Sequence, residues 1–345
     1  MLSSRSVCLV NFVLSKKKNN MKAAVMYQQG GLPQYTDFPE PVVQNPDEVL
    51  VSVKAVAIKH LDKSRASGKH YSSDVLNENG HVIGGDGVCV IEDGKRVYSI
   101  GVSGMLAEKA VINKGRMVKI PDGVADAVAA ALPNAVIGAA MGLKFKANIK
   151  PGDVVLINGA TGFTGRVAVQ IAKHYGAKKI IATGRNEVSL NELLALGADE
   201  VISLTQDDDG FKARLSAVHS QTPIDIVIDY LWGHTAEMIL TCLKGNGSFT
   251  NKIRYVSVGS MTADIVQLSA ANLRSADLQL TGSGLGAWSK AQVSELFREI
   301  LPEMFSLAAA GKLKVDTVAV NLADIAELWN LEVPNGQRLV VVVEN

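Results

Sequence analysis

Apolar residues along this chain follow two different rhythms. From residue 21 to about residue 120 they come in short runs: 21–27 (MKAAVMY), 48–58 (EVLVSVKAVAI), 88–91, 96–98 and 110–112. Runs of that length, bounded by glycine and polar clusters, predict strands. Gly68, Gly80, Gly84, Gly85 and Gly87 mark irregular loops between them. The run 126–143 (DAVAAALPNAVIGAAMGL) predicts two helices broken at Leu132-Pro133, because proline has no N–H to donate. Asn134 would cap the second of them. From residue 154 the rhythm changes. Strands are predicted at 154–157, 179–183, 200–204, 225–229, 255–258 and 278–281, and helices at 166–175, 190–196 and 234–243, with TQDDDG (205–210) as a surface turn. Apolar strands separated by helices mean a parallel sheet covered on both faces. Six strands make a full dinucleotide fold. The tail returns to a helix at 293–310 and short strands at 318–320 and 339–343.

Between the strand at 154–157 and the helix that follows stands NGATGFTG, with Gly159, Gly162 and Gly165 spaced three apart. So tight a turn needs residues without a Cβ, and it lets the backbone approach a pyrophosphate. The helix N-terminus adds N–H groups and a partial positive charge. The end of the second strand selects the cofactor. An acid about twenty residues past the last glycine would take the ribose 2′-hydroxyl of NAD. That place holds Arg185, within Thr183-Gly184-Arg185-Asn186, and no acid precedes Glu187. Gly184 leaves room for a 2′-phosphate and Arg185 can pair with it. The cofactor predicted is NADP(H).

Composition narrows the picture further. A length of 345 residues suits about two domains. With 47% apolar and 20% charged residues the chain is not largely disordered. Lys+Arg of 35 against Asp+Glu of 34 leaves a net charge of +1, with no broad attraction for nucleic acid or an anionic membrane. Cys8, Cys89 and Cys242 are too scattered for a disulfide scaffold or a clustered cysteine metal site, and they suit a reducing, cytoplasmic setting. The apolar stretch 127–143 is shorter than the roughly 20 residues of a membrane span, and Pro133 and Asn134 interrupt it. Residues 1–20 hold no acid, and their lysines follow the apolar part instead of preceding it. They read as a disordered extension and not as a signal peptide.

With these residues in view, the chain resembles the medium-chain dehydrogenase/reductase superfamily, in its zinc-free quinone oxidoreductase-like branch. The segments that carry the likeness are MKAAV, KHLDKSRASGKHY, GGDGV, GMLAEKAVI, KPGDVVLINGATGFTGRVAVQIAKHYGA, LGADEVI, DIVIDYLWG and YVSVGS, spread over residues 21–345. The resemblance implies an α/β architecture: a Rossmann doubly wound parallel six-stranded sheet (138–286) inserted into a chaperonin-10-like, mostly β catalytic domain (21–137 and 287–345). It implies that Gly162, Phe163 and Thr164 meet the pyrophosphate, and that Arg185 and Asn186 meet the adenosine ribose or its phosphate. Val258, Gly259 and Ser260 would line the nicotinamide side, with Gly282 and Ser283 following the last strand. It also implies a homodimer paired through that strand.

The zinc positions of related enzymes read differently here. Lys59 stands where a cysteine ligand would, and Gly84-Gly85-Asp86 is not followed by a histidine. A catalytic zinc needs about three N, S or O ligands. His60, Asp62 and Asp86 are the side chains nearby, with His60 expected to face solvent or a hydrogen-bond partner, so no metal is expected. Tyr71 matches a position where some relatives carry a tyrosine in the cleft, as proton donor. Lys59 and Asp62 are further cleft candidates. The chemistry implied is hydride transfer from NADPH to a small acceptor already activated, a quinone or an α,β-unsaturated carbonyl. The alternatives are a zinc-free alcohol or carbonyl oxidoreductase, and a cofactor-bound binding protein without turnover.

Overall fold

The computed structural model describes residues 19–69, 73, 79–245 and 250–344. The extension at 1–18 and Tyr71 lie outside them. Strand β1 (Asn20–Met26) pairs antiparallel with β2 (Gln34–Pro39) and β4 (His81–Val82). Between them in sequence comes β3 (Glu48–Ala57), followed by a short helix α1 (His60–Ala66). β3 is the hub of a larger sheet. It pairs with β5 (Asp86–Val90) and with β7 (Lys109–Asn113), and β5 pairs in turn with β6 (Arg96–Ile100), which pairs with β8 (Val118–Lys119). β2 and α1 were not foreseen. β2 reads QYTDFP and is mostly solvent-exposed, so it has no apolar period to show.

The predicted break at Pro133 does not occur. Helix α2 (Asp126–Val136) runs through Pro133 and continues without interruption into a π-helical stretch, Ile137–Lys146. An internal proline costs about 3 kcal/mol. Here burial outweighs it: Leu132, Val136, Met141 and Leu143 are all fully buried, and each such side chain contributes about 1.5–3 kcal/mol. Asn134 therefore sits inside the helix and caps nothing. At 21 residues the whole helix, Asp126–Lys146, is long and apolar enough to cross a membrane, but 67% of its apolar window is buried inside the fold. It is a core helix.

Next come β9 (Val154–Asn158), α3 (Phe163–His174), β10 (Lys179–Gly184), α4 (Glu187–Leu196), β11 (Glu200–Ser203), α5 (Asp208–Gln221), β12 (Ile226–Asp229), α6 (Gly233–Cys242), β13 (Ile253–Ser257), α7 (Ala270–Ser275) and β14 (Leu278–Gly282). The six strands are all parallel, in the order β11-β10-β9-β12-β13-β14. That is the doubly wound dinucleotide order, which reverses between β9 and β12 and leaves a crevice at their carboxyl ends. TQDDDG is a helix start as well as a turn: Asp207 Oδ1 accepts the Gly210 N–H at 2.7 Å as the N-cap of α5. Phe211, Leu215 and Val218 then bury one face of α5.

The tail supplies α8 (Lys290–Glu295), a π-helical turn, α9 (Leu301–Ala309), β15 (Asp316–Asn321), α10 (Ile325–Leu328) and β16 (Gln337–Val342). β16 pairs antiparallel with β3, Val340 facing Ala57, and parallel with β15. Strands from before and after the α/β unit in the chain thus share one mixed sheet, beside the smaller sheet of β1, β2 and β4, and the expected fold class holds.

Candidate active site

The glycine turn at the end of β9 has little space inside and open space outside. Gly159 has φ +82°, and a Cβ on it would lie 2.8 Å from Leu231. A Cβ on Gly165 would lie 2.5 Å from Ala160 Cα and 2.6 Å from the Gly159 carbonyl oxygen. Gly162, the N-cap of α3, differs: a Cβ there meets no protein atom closer than 3.9 Å. That is the surface left for a ligand. The first turn of α3, from Phe163 and Thr164, offers N–H groups without intrahelical acceptors. At the end of β10, a Cβ on Gly184 would meet Thr161 Cγ2 at 2.3 Å, so this strand end also packs against the turn. Arg185 and Asn186 are exposed there, and Asn186 Oδ1 accepts the Ser189 N–H at 2.9 Å as the N-cap of α4.

A buried polar network fixes the turn from below. Asp229, at the end of β12, accepts from Asn158 Nδ2 (2.7 Å), the Leu231 N–H (2.8 Å) and the Tyr255 hydroxyl (2.7 Å). Thr183 donates its hydroxyl to Asn158 Oδ1 at 2.7 Å and accepts the Gly159 N–H at 3.2 Å. This network joins β9, β10, β12 and β13. The carboxylate ending the apolar run DIVID was its only trace in the sequence.

The residues expected on the nicotinamide side also converge. A Cβ on Gly138, in the π-helical stretch, would lie 3.0 Å from Thr164 Cγ2 and 3.6 Å from Val258 Cγ1. One on Gly142 would lie 3.7 Å from Val258 Cγ2 and 3.8 Å from Ser283 Oγ. Gly259 backs onto the Tyr230 carbonyl, whereas Ser260 and Gly282 are exposed. Ser283 is buried, and its hydroxyl has no hydrogen-bond partner.

Lys59 and Asp62 lie in a second cluster, deeper than the sequence implied. Their side chains are 1% and 6% exposed. The Lys59 ammonium donates to Asp86 Oδ1 (2.7 Å) and the Ala57 carbonyl (3.1 Å) and pairs with Asp62 Oδ2 (3.2 Å). All three of its N–H groups are thereby used. Asp62 also accepts the Lys59 backbone N–H at 2.9 Å, which secures the start of α1. Tyr98 donates to Asp86 Oδ2 at 2.8 Å. Burial alone would lower the Lys59 pKa, but the Asp62 and Asp86 carboxylates outweigh it and raise it above the ordinary lysine range. His60 is exposed as a residue, yet its ring is partly desolvated and lies within the field of the Arg338 and Lys63 charges. It is held below the usual histidine range.

Three comparisons place this geometry. A family described as zinc-binding dehydrogenase matches residues 164–304. Quinone oxidoreductase-like protein 2 homolog from Nematostella vectensis is 28% identical over 275 residues, covering 77% of this chain and 73% of that protein. The quinone oxidoreductase of Thermus thermophilus, whose structures include a complex with NADPH, superposes with a TM-score of 0.75 at 26% identity, over 93% of this chain and 100% of that one. In sequence and in fold the chain is thus similar to the quinone oxidoreductase-like branch of the medium-chain dehydrogenase/reductase superfamily. A phenolphthiocerol synthesis polyketide synthase type I from Mycobacterium marinum is also 27% identical over 308 residues, but this chain spans only 13% of its length.

Within this oxidoreductase fold, Arg338 is the residue that sequence reasoning missed. It sits on β16, far in sequence from the glycine turn, yet its guanidinium carbon lies 4.6 Å from the centre of the Phe163 ring. The residue is buried, Nη1 reaches the Ile58 carbonyl only at 3.5 Å, and Nε has no partner. Burial pulls its pKa down to about 10, against the pull of Asp62 and Asp86. Two orphaned polar groups, Arg338 Nε and Ser283 Oγ, and an open glycine cradle fit a dinucleotide diphosphate and its nicotinamide. The residues do not fit a zinc ion. Asp62 and Asp86 are already bound to the Lys59 ammonium, and among the described residues no group of three or more His, Cys, Asp or Glu stands together.

Proposed function

We propose that the protein is an NADPH-dependent, zinc-independent reductase of quinones or α,β-unsaturated carbonyls. The observation that carries the reading is the end of β10. An exposed Arg185 stands where an NAD site needs an acid, directly after Gly184, whose Cβ position lies against Thr161 of the glycine turn. The NADPH complex of the Thermus thermophilus relative supports the same choice. When bound, a nicotinamide supplies the hydride. The chain's own residues bind and orient. The α3 N-terminus and Arg338 take the diphosphate, Arg185 takes the 2′-phosphate, and Val258, Gly259 and Ser283 hold the nicotinamide side. Lys59 and Asp62 act as positioning residues, because no Lys59 N–H is free for a substrate. They lock α1 to β5 and so set the floor of the cleft. Tyr71 remains the candidate proton donor on this reading.

Absorbance of NADPH at 340 nm, followed against a panel of quinones, enones and aldehydes with and without a chelator, tests it. Turnover of a quinone or enone, indifferent to the chelator, is expected. Turnover confined to aldehydes, or abolished by the chelator, would rule the reading out.

The partner proposed is a second copy of this chain. β14 is the outer strand of the parallel sheet, so one backbone edge is unpaired. Leu280 on it is 37% exposed, with Met261, Ile265 and Leu273 exposed nearby in sequence. Leu280→Lys should turn a sedimenting dimer into monomer with little change in melting temperature. A wild-type monomer, or a variant that stays dimeric, would contradict pairing through β14.

A further inference from the structure

The outer face of α1 carries a feature that neither the cofactor site nor the buried cluster uses. A pocket of about 360 Å³ opens there, within the size range of small-molecule sites. His60, Lys63, Ser64 and Ser67 line it at helical spacing, together with Lys69 and Trp329. Its charge is one-sided. Among the described residues, no carboxylate lies within ion-pairing distance of the Lys63 or Lys69 ammonium. Glu332 acts on Lys63 only through space. The Lys63 ammonium is partly buried, and that burial holds its pKa below the ordinary lysine range, so an incoming anion would relieve it. Trp329, almost wholly buried in the neighbouring core, contributes to the lining beside the charges. His60 lies two residues after Ile58, whose carbonyl Arg338 Nη1 reaches at 3.5 Å, and Arg338 stacks on Phe163, so the pocket adjoins the glycine turn.

We infer that this pocket receives an anionic group borne by the electron acceptor, so that the preferred acceptors carry a phosphate, sulfonate or carboxylate near the reducible carbons. This rests on the reductase reading above. It adds the class of acceptor, an amphiphile with one flat apolar part and one negative charge.

The test pairs 1,4-naphthoquinone with 1,4-naphthoquinone-2-sulfonate, in wild type and in the Lys63→Gln/Lys69→Gln variant. The ratio of kcat/KM for the sulfonate over the parent should fall about ten- to a hundred-fold in the variant, the size of a lost bond between charged groups. Raised salt should shrink the wild-type ratio. Calorimetric titration with redox-inert naphthalene-2-sulfonate supplies a readout free of turnover: wild type should bind it, and the variant should bind it at least tenfold more weakly. Equal ratios in the two proteins, or equal calorimetric affinity, would overturn the inference. So would a variant that loses NADPH affinity to the same extent, which would assign the lysines to the cofactor. So would inorganic phosphate displacing the naphthalene probe while the acceptor ratio stays unchanged, which would make the pocket a free-anion site. If neither quinone is turned over by wild type, the reductase reading fails. The calorimetry then still decides whether the pocket takes anions.

Discussion

Lys59→Met should lower the melting temperature by about 10 °C or more. The substitution keeps the length of the side chain and removes its charge. Asp62 and Asp86, with side chains 6% and 14% exposed, would lose the ammonium that lies between them. Breaking a buried ion pair from one side costs about 3–5 kcal/mol, and each kcal/mol moves the melt of a domain this large by roughly 2–4 °C. Burial already pushes the Asp62 pKa up, against the pull of Lys59. Without the ammonium that upward shift grows, and the folded state then binds protons that the unfolded state releases. Stability of the variant should therefore rise as pH falls from 7.5 toward 5.5, and its deficit should narrow. Adding Asp86→Asn should recover part of the loss by removing one of the two charges. Circular dichroism melts at the two pH values check this. An unchanged melt would mean that the ammonium is not what holds the carboxylates.

Alanine at two neighbouring glycines should separate fold from binding. Gly165→Ala places its Cβ against backbone, 2.5 Å from Ala160 Cα and 2.8 Å from Ala160 C, and backbone cannot step aside as a side chain does. The turn must shift. Overpacking of this kind costs about 1–3 kcal/mol or more, so both the melt and NADPH affinity should fall, the affinity by about tenfold or more. Gly162→Ala has an ordinary φ of −71° and no protein atom within 3.9 Å of the new Cβ. Its melt should stay near wild type. Affinity should still drop by about tenfold or more, because the methyl occupies the space where a diphosphate approaches. Titration of each variant with NADPH, beside its melt, decides. Equal affinity in wild type and Gly162→Ala would remove the diphosphate from this turn.

The parallel sheet was legible because its strands are continuous apolar runs and its turn needs glycines at fixed places. The π-helical core helix was misread because a local rule about Pro133 was outweighed by burial that only the packed fold supplies. α5 was missed although Phe211, Leu215 and Val218 have helical spacing, since the DDDG turn drew attention from its role as a cap. In the site, the cofactor candidates could be chosen by their distance along one chain segment. Arg338 could not, because strand β16 brings it to Phe163 from the far end of the chain. Lys59 and Asp62 were expected as cleft candidates, but their depth was not, because it depends on Asp86 and Tyr98 closing over them.

Cofactor choice tests the central claim most directly. Fluorescence titration of NADPH and NADH into wild type and Arg185→Ala gives four dissociation constants. Wild type should bind NADPH the more tightly. The variant should lose about ten- to a hundred-fold in NADPH affinity, the worth of bonds to a charged 2′-phosphate, and almost nothing for NADH, which lacks that group. A wild type that prefers NADH, or a variant weakened equally toward both, would contradict the assignment of Arg185 and with it the NADPH-dependent reductase.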